Sequence, residues 1–242
     1  MIREYLRWRS PPLQRDMEML VFGEAGAKVF LFPTREGRFF EYENIGLVRA
    51  LSDKIIGGHL QLFCLEALAS EIFYCESIDT AEKVRRYKQL EEYVLGEVLP
   101  FATNINSHPE IVVSGCSLGA FYAANMAFRH PESFTRLVAF SGRYDLTIGI
   151  DEFAPLLGGI YDDEVYFNTP NHFLTNLTDP PRLQALRRID MIFVIGNQDP
   201  FLENNRYLSS ILQDKGIGHQ LHEWQGRAHQ GRFWRQMAQL YL

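Results

Sequence analysis

Gly115-Cys116-Ser117-Leu118-Gly119 constrains the fold of this chain more than any other stretch. The apolar run Ile111-Val112-Val113 precedes it, and the helix-like Ala120-Phe121-Tyr122-Ala123-Ala124-Asn125-Met126 follows. Strand, sharp turn and helix in that order present a serine hydroxyl at the tip of a strained turn, the arrangement called a nucleophile elbow. Glycine is needed on either side because such a turn leaves no room for Cβ atoms. Gly-x-Ser-x-Gly arises by accident in a chain of 242 residues with odds of roughly one in ten. The weight of the motif therefore rests on its flanks and on its partners downstream.

Short apolar segments alternate with longer helical patterns along the rest of the chain. Met17 to Phe22 and Lys28 to Phe32 flank Gly23-Glu24-Ala25-Gly26 and read as a hairpin-like pair. Leu60 to Glu66 is the next strand candidate. Asp79 to Leu99 has a helical period in Val84, Tyr87, Leu90, Val94, Leu95 and Val98, with capping chemistry at Asp79-Thr80 and a stop at Pro100. Strands are then expected at Glu110 to Gly115, Arg136 to Phe140, Asp190 to Ile195 and His219 to Trp224. Helices are expected from the elbow to about Arg129-His130-Pro131, at Glu203 to Lys215 and at Arg232 to Leu242. Strands that are apolar nearly throughout fit a sheet covered on both faces. The predicted class is α/β, a mostly parallel central sheet between helices, with residues 1–242 as one domain. Residues 143–189 interrupt the rhythm with Pro, Gly and aromatic side chains. An insertion of that length is expected to be a lid-like or specificity segment, or else a helical decoration on the sheet.

Composition narrows the function classes. Hydrophobic residues make up 46% and charged residues 22%, as in ordinary globular proteins. A net charge of −6 with no dominant basic face argues against nucleic-acid binding. The densest basic cluster, Arg85-Arg86-Tyr87-Lys88, reads as a solvated helix face. Cys64, Cys75 and Cys116 are odd in number and irregular in spacing, which suits neither a disulfide framework nor a metal site. Cys64 and Cys116 read as small buried apolar residues. The start, Met1 to Trp8, lacks the apolar core and cleavage-type ending of a secretion signal, and no apolar run approaches the ~20 residues that cross a bilayer. A soluble cytoplasmic protein without membrane partners is expected.

A serine hydroxyl needs a neighbouring base to act as a nucleophile at neutral pH. With an elbow of this kind, the partners follow in the order Ser, Asp, His. Of seven histidines, His229 lies in Gln225-Gly226-Arg227-Ala228-His229-Gln230-Gly231, between the last strand and the last helix, where a loop can carry an imidazole over the elbow. His219 and His222 fall in a strand, His130 suits a helix C-terminus, and His59 and His108 sit in loops without a chemical placement. The carboxylate that orients the base is expected at Asp199, in the turn Gly196 to Pro200, which as an alternative caps the following helix. Asp145 is the spare candidate. Donors to an oxyanion are expected from the Leu118 backbone N–H and from the loop Pro33-Thr34-Arg35-Glu36-Gly37-Arg38. There Thr34 or Arg35 supplies the N–H, Arg35 being favoured, unless the loop is only charged surface.

These features together resemble the esterase D-like branch of the α/β-hydrolases, a group similar to S-formylglutathione hydrolases, enterochelin esterases and mycolyltransferases. The resemblance runs through Phe30-Leu31-Phe32-Pro33-Thr34, Glu92 to Pro100, the elbow with Ala120, Phe140-Ser141-Gly142, Gly196-Asn197-Gln198-Asp199 and Ala228-His229. It implies the α/β-hydrolase fold, a triad of Ser117, Asp199 and His229, Leu118 and a residue within Thr34-Arg35 as oxyanion donors, and no metal or organic cofactor. Enzymes with this elbow often carry His-Gly in the oxyanion loop, and this chain does not. The expected activity is cleavage of small carboxylic esters through an acyl-enzyme. Thioesterase or acyltransferase chemistry at the same site, and a catalytically inactive binding protein, are the alternatives, and a homo-oligomer is left open. Phe39, Phe40, Tyr42 and the aromatics of 143–189 are expected either to line an acyl pocket or to be ordinary core.

Overall fold

The computed structural model describes residues 1–242. Eight strands form one sheet: β1 (Arg3–Ser10), β2 (Arg15–Phe22), β3 (Ala27–Phe32), β4 (Leu60–Leu65), β5 (Ile111–Cys116), β6 (Arg136–Phe140), β7 (Asp190–Gly196) and β8 (Gln220–Trp224), in the spatial order β1-β2-β4-β3-β5-β6-β7-β8. From β4 onward every pairing is parallel, and β2 alone runs against the rest. The segments flanking Gly23 to Gly26 are not a hairpin, because β4 inserts between β2 and β3. The hairpin partner of β2 is β1, a strand the sequence hides because Arg3, Glu4, Arg7 and Arg9 give it the polar dress of a sheet edge.

Successive residues of the central strands feed opposite cores, the period-two geometry of a strand. Phe30, Val113, Leu137 and Phe193 face one layer, with α4 (Thr80–Tyr93), α6 (Leu118–Arg129) and α10 (Leu202–Asp214). Val29, Val112, Val138 and Val194 face the other. That layer is built by α1 (Glu41–Asn44), α2 (Leu47–Ala50), α3 (Ser52–Ile56) and α11 (Gly231–Tyr241). Both faces are therefore covered, which is why these strands read as unbroken apolar runs.

Pro100 does not stop the long helix. A π-helical turn, Val94–Val98, follows α4, and α5 (Leu99–Ile105) continues with Pro100 in its first turn. Proline cannot donate the usual backbone bond, and a widened turn just before it lets the helix pass. In the 143–189 stretch, α7 (Asp163–Phe167), α8 (Pro170–Phe173) and α9 (Pro180–Leu186) bury Val165, Phe173 and Leu186 in the larger core. Its earlier part runs without regular structure beside the end of β6. No helix is long and apolar enough to cross a membrane.

Candidate active site

At the end of β5 the chain reverses through Ser117 at φ 56° and ψ −119°, a left-handed conformation that strains any side chain. The flanking glycines answer to close approach. A Cβ on Gly119 would stand 2.1 Å from the Phe32 carbonyl oxygen, and one on Gly115 would stand 2.3 Å from the Gly119 backbone. The elbow is thus packed directly on the end of β3. Two further bonds hold it: the Ser117 N–H donates to Phe140 O (2.8 Å), and the Cys116 N–H donates to the Tyr42 hydroxyl (3.0 Å). Tyr42 in turn donates to Phe32 O at 2.6 Å. Burial raises the Tyr42 pKa well above its ordinary value, so the phenol stays a neutral bridge between the two strand ends.

Asp199 lies in the turn after β7, its side chain fully buried. One oxygen, Oδ1, accepts the Phe201 N–H at 3.0 Å, while Oδ2 meets His229 Nδ1 at 2.8 Å. His229 Nε2 then meets Ser117 Oγ at 3.0 Å. A carboxylate on Nδ1 favours the tautomer with the proton there, which leaves Nε2 as an acceptor facing the hydroxyl. The imidazole is wedged between Phe201 and Trp234, ring centroids 5.7 and 5.4 Å away. The residue that caps α10 is Phe201, so Asp199 serves the start of that helix from just outside it.

Asp145 is not part of this cluster. Its carboxylate accepts from Thr147 N–H (2.8 Å) and Oγ1 (2.6 Å) and meets His172 Nε2 at 3.0 Å. Burial pushes the Asp145 carboxyl up, but the bonds from His172 and Thr147 outweigh it, and the pKa ends below its ordinary value. His219 meets Ser209 Oγ and precedes β8, whereas His222 lies in β8 beside Gln220. No three His, Cys, Asp or Glu side chains stand close enough to hold a metal ion.

Of the expected oxyanion donors, Leu118 opens α6, so its N–H has no acceptor within the helix. The loop after β3 needs a correction. The Thr34 N–H is given to Glu41 Oε2 at 2.7 Å and its hydroxyl to Glu41 Oε1 at 2.6 Å, which removes Thr34 as a donor. Arg35, with no hydrogen bond on its N–H, is the remaining candidate. Glu41 is half-hidden, and burial raises its pKa against the opposing pull of the Thr34 bonds. Sequence reasoning missed Glu41 and left Tyr42 and Phe39 open between acyl pocket and core, and both are core. Nothing local to those residues signals that they brace the elbow and its loop.

The Esterase family model matches residues 76–240. No curated protein matches the sequence. Among solved structures, a ferulic acid esterase is similar over 100% of this chain and 96% of its own, at 17% identity and a TM-score of 0.78. An S-formylglutathione hydrolase from Agrobacterium tumefaciens is 16% identical with a TM-score of 0.76, over 99% of this chain and 92% of its own. The fluorophosphonate-binding serine hydrolase F of Staphylococcus aureus is 14% identical with a TM-score of 0.74, over 99% and 96%. At such identities these likenesses speak for the α/β-hydrolase fold, and the family match speaks for the chemistry. The chain belongs to the Esterase family and is a carboxylic ester hydrolase.

Proposed function

We propose that the protein is a serine hydrolase that cleaves small carboxylic esters through a covalent acyl-enzyme. The observation that carries this reading is the unbroken chain from Ser117 Oγ through His229 to the Asp199 carboxylate, at 3.0 and 2.8 Å. Ser117 Oγ attacks the ester carbonyl carbon while His229 Nε2 takes the hydroxyl proton. Negative charge gathers on the former carbonyl oxygen, where the N–H groups of Leu118 and Arg35 receive it. As the tetrahedral species collapses, the C–O bond to the alcohol breaks and His229 returns the proton to the departing oxygen. Water then attacks the acyl-serine with the same imidazole as base, and the carboxylic acid leaves. Asp199 holds the ring and stabilises its cation during both transfers.

A fluorophosphonate probe tests the assignment. Labelling of the wild type that disappears in Ser117→Ala supports it, and a folded wild type that never labels overturns it. A panel of p-nitrophenyl esters of graded acyl length, with matching thioesters and alcohol acceptors, then defines the reaction class.

A further inference from the structure

A cleft of about 290 Å³, near the lower end of the range for small-ligand sites, shares Arg35 with the candidate oxyanion loop. Its walls come from distant parts of the chain: Arg35 after β3, Tyr74 ahead of α4, Lys83 on α4, and Arg143 with Phe153 after β6. The buried Phe201 ring stands between the cleft wall and the His229 imidazole. The Arg143 guanidinium carbon lies 5.7 Å from its centroid, and the His229 ring lies 5.7 Å from the same centroid. Phe153 packs on Phe201 at 4.9 Å. Arg143 also follows Phe140, the residue that anchors the Ser117 N–H, by only three positions.

Arg143 is the unusual member of this wall. It is 4% exposed, yet no carboxylate side chain bonds its guanidinium. Nε donates to Asp145 O at 3.2 Å, and Nη2 donates to Ala154 O at 3.0 Å and to Ile148 O. Backbone carbonyls fix the plane of the group without cancelling its charge. The nearest acid, Asp145, is spent on His172 and Thr147. Burial accordingly lowers the Arg143 pKa, against the pull of Tyr74 and Asp145. A buried cation without a counter-ion is costly, and a bound anion relieves the cost. Lys83, half-buried on the same wall, also has no carboxylate partner, its ammonium meeting Leu156 O at 3.2 Å. The acids of the cleft, Glu76 and Glu152, are exposed, and Glu152 is paired with Arg227 at 3.1 Å.

We infer that this cleft receives a carboxylate carried by the ester substrate, with Arg143 as the group that recognises it and Lys83 in support. This rests on the hydrolase reading above and names its substrate class: esters with a free carboxylate a few atoms from the scissile bond. A fixed guanidinium suits a carboxylate better than a mobile ammonium does.

The test compares kcat/KM for charged and neutral esters of matched shape. Mono-p-nitrophenyl glutarate against its methyl ester places the carboxylate on the acyl half, whereas 4-acetoxybenzoate against its methyl ester places it on the leaving group. The wild type should prefer the charged ester by about tenfold or more in one arm, the strength of a hydrogen bond to a charged group. Arg143→Met should bring that ratio down about tenfold, mainly through KM, and Lys83→Met about threefold. The Lys83 variant carries the test should Arg143→Met fail to fold. A wild-type ratio of one or less in both arms, or a ratio unchanged in the folded variants, overturns the inference. If neutral esters still turn over and Ser117 still labels, only the carboxylate subsite falls. No turnover of any ester and no labelling would remove the hydrolase reading as well.

Discussion

Two carboxylate–imidazole pairs stand after neighbouring strands, Asp199 with His229 behind β7 and Asp145 with His172 behind β6, at 2.8 and 3.0 Å. Both carboxylates are buried and both rings are largely covered. They differ in what the far ring nitrogen meets. His229 turns Nε2 to Ser117, on a strained elbow whose neighbouring N–H is free. His172 turns Nδ1 to the Tyr161 hydroxyl at 2.8 Å, on a side chain 54% exposed. The first pair ends in a hydroxyl held where charge can be received, and the second ties an irregular segment to α8. An Asp–His contact by itself therefore says little about catalysis, and the environment of the third group decides.

The sharpest way to break this comparison is to delete each imidazole. His229→Ala, like Ser117→Ala, should lower kcat on p-nitrophenyl acetate by about 10⁴-fold or more, while His172→Ala should stay within about tenfold of wild type. Equal losses would dissolve the distinction. The carboxylates come next: Asp199→Asn should cost about 10³- to 10⁴-fold in kcat with the fold intact, and Asp145→Asn about tenfold at most. The opposite ranking would hand the orienting role to Asp145.

Stability should reverse the order of importance. Asp145→Ala strands Thr147 and His172 without their acceptor and should cost about 1–3 kcal/mol, read as a lower Tm in thermal melts. An unchanged Tm would show that the second pair ties nothing down. Acid should reveal the same carboxylate. Its folded pKa lies below the ordinary 3.8, so its stabilising contribution is complete above 3.8 and is lost as pH falls through the folded value. Denaturant midpoints measured down that range should fall less steeply in Asp145→Asn than in the wild type. The smallest effect belongs to Tyr161→Phe, below about 0.5 kcal/mol for a bond at an exposed hydroxyl.

The sequence made β6, β7, the elbow and the last two helices legible because their signals are local: apolar runs, two glycines, a helical period. β1 was not, since an edge strand with Arg3 and Arg7 pairs through its backbone and advertises no core. The false hairpin around Gly23 to Gly26 has the same origin, for turn residues report a bend and not which strand comes to lie alongside. The pairing of Ser117, His229 and Asp199 was readable as an order along the chain. The Thr34–Glu41 bond was not, and it is this bond that decides which N–H in the loop after β3 is free. Tyr42 bridges the ends of two strands, a contact no spacing announces.

Gly196 carries a last consequence. A Cβ there would collide with the Arg227 carbonyl oxygen at 2.2 Å, and the two loops are stitched by Asn197 N–H to Trp224 O, Gln198 N–H to Gly226 O and Gly226 N–H to Asn197 Oδ1. The segments that bear the carboxylate and the imidazole are thereby riveted into one plate, their mutual spacing set by backbone contact. The elbow joins that plate through β6, by the bonds from Ser117 N–H to Phe140 O and from Ser141 N–H to Val194 O, so three loop ends share one scaffold.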